Sequence, residues 1–335
     1  MTLLDFPPAL LALPPLAVAA GVDLYLTLLL IGAAPTLGLW DLPLPGALDD
    51  LDSPSVLITV GLCYLAEIVA ERFPPSAVVW NAFHAIIRPV SGALLALLLL
   101  DGEPLWLVAA GSALAGLLAS MAHGIRSGWA VLRWLGAGPT PPTRLVSLAE
   151  DVLVIGVVSL TLDAPAPALA LTGLVLVVVT PFTRSLLRAF AFAIGLIGGR
   201  IFVTLRQRRW SAADELPDWV AATLENDDVL APGGALRGTR VGAWRLPGAP
   251  RFVVGWVVVR GGSPVFVFRR SRVLPGSRRP QRLDLGALDA RAVYESDLFH
   301  RLDLGDGSAR PFLLFGLGGP SVASLRAEFD FATAP

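Results

Sequence analysis

Long apolar stretches fill the first 200 residues of this 335-residue chain and limit the folds that it can adopt. A helix that crosses about 30 Å of hydrocarbon needs roughly 20 mostly apolar residues. Six stretches reach or approach that length, namely 11–32, 55–72, 83–100, 104–125, 147–162 and 165–184. The first contains Pro14, Pro15 and Gly21, so a kink or a partly re-entrant start is expected there. The sequence therefore predicts an α-helical integral membrane domain with about six transmembrane helices.

The apolar residues are unevenly spread, which divides the chain into two parts. Only 16% of all residues are charged, whereas soluble domains carry about a quarter. We expect a polytopic helical membrane domain over 1–205, with an amphipathic interfacial helix at its end. A longer sixth span with snorkelling arginines is the alternative for that end. A small β-rich cytoplasmic domain, a barrel or sandwich, is expected over 211–335.

The distribution of arginine predicts the orientation in the membrane. Three connections between predicted spans contain no arginine, namely 33–54, 101–103 and 163–164. The alternate connections carry Arg72, Arg133 and Arg144. Since basic residues accumulate in cytoplasmic loops, both termini are predicted to be cytoplasmic. The N-terminus lacks the positive segment of a signal peptide, so we interpret it as the start of the first span.

Ionisable residues recur in pairs inside the apolar stretches. The pairs are Glu67 and Glu71, His84 and Arg88, His123 and Arg126, and Glu150 and Asp151. Each pair lies toward the predicted cytoplasmic end of its span, so all four are expected in one leaflet. Asp23 lies deeper, in the first span, and could reach Arg88. Together these residues form the predicted intramembrane polar cluster.

Three hypotheses account for this cluster. The first is an ion-paired clasp between helix ends, because charge near the interface is far less costly than charge at the bilayer centre. The second is a transport or proton-relay site, with Asp23, Glu67 and Glu71 as carriers and His84 as a titrating group. The third is a metal or pigment site at His84 or His123, although no tight spacing motif joins them. Apart from lipid, no cofactor is predicted, and no metal site is assigned.

Small residues recur every four positions in the fourth apolar stretch. They form a predicted helix-packing face of Ser112, Gly116, Ser120 and Gly124. Small side chains at this spacing let another helix approach closely. The partner is either a neighbouring span or a second membrane protein, and the sequence leaves both open.

Several short motifs in the first half of the chain resemble those of a known family. They are Gly21-Val22-Asp23, Glu67, Glu71-Arg72, Pro74, Trp80-Asn81-Ala82-Phe83-His84, Arg88-Pro89, Gly92, His123-Gly124 and Ser147-Leu148-Ala149-Glu150-Asp151. Residues 21–155 resemble the bacterial multi-pass membrane family called domain of unknown function four-one-two-six. Members typically carry Asn in place of Asp23 and Asp-Lys in place of Glu71-Arg72. The resemblance implies a helical fold in a bacterial inner membrane, and it implies no activity.

The C-terminal part has the pattern of a β-rich domain. Strands are predicted at 241–246, 252–260, 265–272 and 311–317, a short helix at 211–227, and a strand or helix at 321–331. The 252–260 strand is apolar on both faces and is therefore expected in the centre of the sheet. Gly261-Gly262, between the second and third of these strands, predicts a hairpin with a loop longer than the tightest type. A basic run follows this hairpin at Arg269, Arg270, Arg272, Arg278 and Arg279. It fits either a lipid-headgroup contact or a solvated loop.

These patterns favour a membrane protein without catalytic activity. The sequence contains no H-E-x-x-H, G-x-S-x-G or P-loop motif, and its net charge of −1 gives no reason to bind nucleic acid. We predict a scaffold or accessory subunit of a larger inner-membrane complex, with a photosynthetic or respiratory complex as a candidate host. The expected partners are membrane lipids and integral membrane proteins. The alternative is an ion-coupled transporter or carrier that uses the Glu/His/Arg cluster.

Overall fold

The computed structural model describes residues 7–36, 38, 48, 51–135, 143–202, 210–224, 235–270, 279–286, 288, 290–296, 299–305 and 311–329. The chain divides into two compact units, Met1–Leu187 and Arg188–Pro335. The predicted boundary lay near residue 205, whereas this division falls inside a continuous helix.

Seven helices follow one another through the described residues of the apolar region. They are α1 (Pro8–Val22), α2 (Leu24–Ala33), α3 (Pro54–Glu71), α4 (Pro74–Leu99), α5 (Leu105–Trp134), α6 (Thr143–Asp163) and α7 (Pro165–Phe202). Within these residues, α3 to α7 provide five helices that are long and apolar enough to cross a membrane. The helices α1 and α2 are apolar but shorter. The predicted helical membrane domain is therefore confirmed, and its first span is divided.

The division of the first span lies at Asp23. Helix α1 runs through Pro14 and Pro15, and the chain becomes extended at Asp23, with φ −142° and ψ 101°. The Asp23 carboxylate accepts a 2.9 Å hydrogen bond from the N–H of Leu26 and so caps α2. Aspartate favours this position because its oxygen satisfies an N–H that the first helical turn leaves unpaired. The break expected at the prolines or Gly21 therefore occurs at the capping residue instead.

Two of the predicted packing residues of α5 contact neighbouring helices of the same chain. A Cβ atom added at Gly116 would lie 3.0 Å from the carbonyl oxygen of Pro89 on α4. A Cβ added at Gly124 would lie 2.3 Å from Cδ2 of Leu187 on α7. Only a residue without a side chain allows these approaches. At these two positions, the partner is a neighbouring span.

The deepest burial on α5 lies beside the predicted packing face. Ala115 and Ala119 are fully buried, whereas Ser112 and Ser120 are half-buried. Helix α1 approaches here, since a Cβ added at Gly21 would lie 2.5 Å from the carbonyl oxygen of Ala119. The most closely packed face of α5 therefore runs through Ala115 and Ala119, one residue before the predicted positions Gly116 and Ser120.

Helix α7 continues without interruption for 38 residues, where an interfacial helix was expected after residue 184. From Arg188 onward it belongs to the second unit. There the ring of Phe192 is buried with its centroid 5.9 Å from that of Phe252. The apolar face of this segment thus packs on protein within its own unit.

In its described residues, the second unit is built on an antiparallel sheet of eight strands, which confirms the predicted β-rich domain. The strands are β1 (Ser211–Ala212), β2 (Arg237–Trp244), β3 (Phe252–Arg260), β4 (Ser263–Arg270), β5 (Arg279–Asp284), β6 (Ala290–Glu295), β7 (Phe299–Leu304) and β8 (Phe312–Gly316). The order is β5-β4-β3-β2-β8-β7-β6, and β1 pairs with β2. Two short helices, α8 (Asp218–Leu224) and α9 (Val322–Glu328), complete the unit.

Both faces of the sheet carry apolar residues because successive strand residues point to opposite sides. On one face, Val257 and Phe266 belong to a core that includes Leu325 of α9. On the other face, Val258 packs with Val220 of α8. Strand β3 contributes to both cores and lies between β2 and β4, as its two-sided apolar pattern predicted.

The hairpin, the short helix and the basic run predicted for the C-terminal part differ in how well they agree with the structure. The predicted hairpin between β3 and β4 turns at Gly261 and Gly262, where φ is +58° and +81°. Of the predicted 211–227 helix, α8 is the α-helical part among the described residues 211–224, and residues 225–227 lie outside the described residues. In the basic run, the Arg269 guanidinium lies 4.5 Å from the ring centroid of Trp219, and Arg272 and Arg278 lie outside the described residues.

Candidate functional site

Arg88 joins three helices of the first unit around one buried guanidinium. Its Nη1 donates to the carbonyl oxygen of Gly21 at 2.7 Å and to that of Val22, and its Nη2 donates to Oε1 of Glu67. The side chain is fully buried. The last carbonyls of a helix have no partner within it and carry partial negative charge. A guanidinium therefore suits the end of α1, and it also holds α4 against α3.

Arg126 on α5 is shared by three carboxylates. Its Nη1 lies 3.1 Å from Oε1 of Glu67, and its Nη2 lies 2.8 Å from Oε1 of Glu71. Its Nε donates to Oε2 of Glu150 at 2.9 Å. Because these acids come from α3 and α6, Arg126 links three helices. The planar fork of a guanidinium, with five N–H donors, permits this arrangement.

The two arginines contact the same oxygen of Glu67. Arg88 and Arg126 both bond to Oε1, and Glu67 is only 2% exposed. Within the described part of the chain, no donor reaches its buried Oε2. Oε1 of the carboxylate thus accepts from two arginines, and Oε2 accepts from none of the described donors.

Asp23 is buried at the break between α1 and α2. Its Oδ1 caps α2, and its carbonyl oxygen accepts a 2.6 Å hydrogen bond from the hydroxyl of Thr27. Arg88 reaches the chain at Gly21 and Val22, the two residues before Asp23. The predicted proximity of Asp23 and Arg88 is therefore achieved through the backbone that Asp23 terminates.

His84 lies in an aromatic pocket beside the arginine cluster. Its Nδ1 donates to the carbonyl oxygen of Trp80 at 2.9 Å, because a carbonyl can only accept. That hydrogen leaves Nε2 to accept from the hydroxyl of Tyr25, also at 2.9 Å. The imidazole stacks on Trp80, with ring centroids 4.7 Å apart. Both ring nitrogens are thus used by the protein.

His123 contacts a different part of α4. Its Nε2 donates to the carbonyl oxygen of Asn81 at 2.9 Å, and the hydroxyl of Ser127 lies 3.4 Å from the same nitrogen. In the described residues, no group of three or more His, Cys, Asp or Glu side chains is arranged to hold a metal ion.

A small cavity opens beside Arg126 between α3, α4, α5 and α6. Its volume is about 50 Å³. It is lined by Glu71, Ala77, Asn81, Arg126, Ser127, Ala130, Arg133, Ser147 and Glu150. Asn81 is 6% exposed, and its Oδ1 has no partner among the described residues. The cavity therefore presents polar atoms that are available to a small polar ligand.

Acidic groups outnumber arginines in and around the cluster. The acids are Asp23, Glu67, Glu71, Glu150 and Asp151, and the arginines are Arg88, Arg126 and Arg133. Five carboxylates and three guanidiniums carry a net charge of −2 when all are ionised. Asp23, Glu67 and Arg88 are buried, and the other three acids are partly exposed. An excess of negative charge in such a cluster favours the binding of protons or a cation.

The predicted site residues fall into three groups in the structure. Glu67, Glu71, Arg88 and Glu150 share one network with Arg126, while His84 and His123 flank it through α4. Asp151 bonds instead to the hydroxyl of Tyr64 at 3.3 Å. Asn81 was not predicted as a site residue. Its position next to Trp80, one turn before His84 and two turns before Arg88 on α4, is the signal that could have identified it.

These features define a helical membrane protein with an ion-paired polar cluster between its helices. The family described as "Domain of unknown function (DUF4126)" matches residues 10–185, more than half of the chain, and the chain therefore belongs to this family. The match confirms the resemblance and extends beyond it at both ends. No curated protein and no solved structure matches the chain.

Proposed function

We propose that the membrane domain is an ion-coupled carrier that binds its ion at the Glu67 cluster. The observation that supports this most is a cluster of acids, two of them buried at Asp23 and Glu67, beside the helix break at Asp23. Carriers commonly bind substrates and coupling ions at interrupted helices, where backbone carbonyls become available. Intramembrane carboxylates are costly and usually mark ion pathways. The proposal includes no catalytic step and no bound cofactor.

A purely structural clasp explains the cluster less well. A clasp gains most when each charge has its own partner, but here Arg126 is divided among three acids. Oε2 of Glu67 and Nε of Arg88 are buried without a partner among the described residues. Each such atom costs about 1–3 kcal/mol. An arrangement selected for stability alone would satisfy these atoms.

The carrier is proposed to lie in a bacterial inner membrane with both termini in the cytoplasm. The alternation of arginine-free and arginine-containing connections supports this orientation. The cluster then lies toward the cytoplasmic leaflet, and its ion would exchange with the cytoplasm.

The test uses purified full-length protein in liposomes. Uptake of radiolabelled amino acids, sugars and organic acids is measured under imposed Na⁺, K⁺ or pH gradients. We expect at least one solute to accumulate, and we expect Glu67→Gln to lower that uptake by about tenfold. The matched control is Glu103→Gln, because Glu103 lies in the connection between α4 and α5, partly exposed. Absence of gradient-driven uptake for every solute would contradict the proposal.

A role as an accessory subunit is the second candidate. It is supported by the apolar ridge of Ile58, Leu62, Leu65 and Val69 on α3, whose side chains are 57–64% exposed. Lipid covers such a ridge in a carrier, whereas a photosynthetic or respiratory partner would cover it in a complex. The contacts of Gly116 and Gly124 within the chain remove one reason for expecting a protein partner. Stoichiometric co-purification from the native host in mild detergent would favour this candidate.

A further inference from the structure

We propose that the coupling ion is a proton and that it binds to Oε2 of Glu67. This inference rests on the proposed carrier function and names its ion. Two observations point to it: the oxygens at the helix break are already occupied by donors, and the unoccupied acidic oxygen lies on Glu67.

The helix break has the ligand types of a metal-cation site, but its oxygens are in use. Interrupted helices of carriers coordinate Na⁺ with unwound backbone carbonyls. Here the Gly21 and Val22 carbonyls accept from Arg88, and the Asp23 carbonyl accepts from the hydroxyl of Thr27. The guanidinium thus stands where a metal cation would bind. Because Arg88 is covalently tethered, it cannot be the transported charge.

The Glu67 carboxylate is prepared for a proton on one side. Both guanidiniums bond to Oε1, while the buried Oε2 has no donor among the described residues. A proton from water forms an O–H bond at Oε2, and Glu67 changes from a charge of −1 to neutral. Arg88 and Arg126 keep their own protons. The surplus negative charge of the cluster falls by one.

The cavity beside Arg126 reaches the neighbours of Glu67. Its volume of about 50 Å³ has room for water, and Asn81 and Glu71 are among the residues that line it. Glu71 lies one helical turn from Glu67 on α3, and both acids contact Arg126. A proton that enters the cavity therefore meets Glu71, which shares Arg126 with Glu67.

Protonation of Glu67 weakens the contact between Glu67 and Arg88, the residue that also bonds to the helix break. A neutral carboxyl attracts Arg88 less strongly than a carboxylate does, because the Coulomb attraction is lost. Arg88 also holds the last carbonyls of α1, so proton binding is transmitted to the break at Asp23. Besides Arg88 and Arg126, the charged or titratable groups around Glu67 are Asp23, Tyr25, Tyr64, Glu71, His84, His123, Glu150 and Asp151.

The test records charge displacement in full-length protein on a solid-supported membrane. A sudden change of pH, of Na⁺ or of K⁺ is applied without any solute. We expect a transient current after the pH jump and none after the Na⁺ or K⁺ jump at constant pH. Glu67→Gln should reduce the pH-jump current by about tenfold, and Glu103→Gln should leave it unchanged.

The outcomes separate this inference from the carrier proposal. A Na⁺ or K⁺ current in the wild type, without a pH-jump current, overturns the proton assignment and leaves a carrier. No current with any ion overturns both. A normal pH-jump current in folded Glu67→Gln also overturns the assignment to Glu67. The wild-type comparison of the three ions needs no variant, so it remains decisive if Glu67→Gln does not fold.

Discussion

The two units of the chain pair their buried charges differently. In the second unit, Asp303 is 3% exposed and is matched by Arg301, whose Nε lies 2.6 Å from Oδ1. In the first unit, Arg126 serves three acids, and Glu67 receives two arginines on one oxygen. A neighbouring arginine is sufficient for a carboxylate that only has to be buried. An arginine that is shared among several acids leaves the cluster with excess negative charge. Such an excess favours reversible binding of a cation.

Among the variants that distinguish the two units, Arg88→Ala is expected to lower the stability of the protein most. The change removes a fully buried cation and leaves Glu67 and the Gly21 carbonyl without it. Removing one partner of a buried pair costs about 3–5 kcal/mol. We expect Arg88→Ala to lower the thermal stability of the helical signal in mild detergent by far more than Arg326→Ala, an exposed control. Equal stability of the two variants would show that Arg88 does not hold the cluster together.

A change in the apolar core should affect the second unit alone. Leu302 on β7 is fully buried, so Leu302→Ala creates a cavity, and such truncations cost about 2–5 kcal/mol. Circular dichroism and melting of the full chain should show loss of β-structure at lower temperature. The pH-jump current should persist at temperatures where the variant is folded. Loss of that current in a folded Leu302→Ala protein would mean that the units do not act separately.

A smaller loss of stability is expected from Gly128→Ala, which disturbs the close packing of α5 against α7. A Cβ at Gly128 would lie 2.1 Å from the carbonyl oxygen of Leu186, so Gly128→Ala forces α5 and α7 apart. Overpacking of this kind costs about 1–3 kcal/mol. The matched control is Gly156→Ala on α6, where a Cβ meets nothing within 4 Å. If both variants melt at the wild-type temperature, the close approach of α5 and α7 is not present in the protein.

The smallest effect is expected from Asp23→Asn. Asparagine caps helices about as well as aspartate, so the bond to the Leu26 N–H and the helix break are retained. We expect a stability change of a few tenths of a kcal/mol and a preserved pH-jump current. Loss of the current in this variant would move the ion-binding role from Glu67 to Asp23, as the sequence hypothesis of an Asp23 carrier has it.

The convergence of the polar cluster could be predicted from sequence because two simple patterns combine. Spans of known length fix the depth of Glu67, Arg88 and Glu150, and the arginine asymmetry gives all of them the same direction. The break at Asp23 could not be located in the same way. Apolar residues continue on both sides of it, and Pro14 and Pro15 gave a stronger local signal.

In the sheet, too, some elements could be predicted from the sequence and others could not. Strands β2, β3, β4 and β8 coincide with predicted strands because their apolar runs are long. Strands β5, β6 and β7 were missed. Strands β5 and β6 carry charged residues and lie at the two edges of the main strand order, and β7 is interrupted by His300, Arg301 and Asp303. Edge strands form through pairing with a neighbour, so their own composition carries little signal. The sharing of Arg126 among three acids likewise depends on packing between helices.

The central claim is that Glu67 is the group that gains and loses the ion, and infrared difference spectroscopy of the purified full chain tests it most directly. Lowering the pH should produce a carboxylic-acid C=O band in the wild type and in Glu103→Gln. Because other acids also contribute to this band, we predict that Glu67→Gln removes the Glu67 component and lowers the band intensity relative to Glu103→Gln. An unchanged band in folded Glu67→Gln would contradict the account, and so would a wild type in which no such band forms at any pH where the protein is folded.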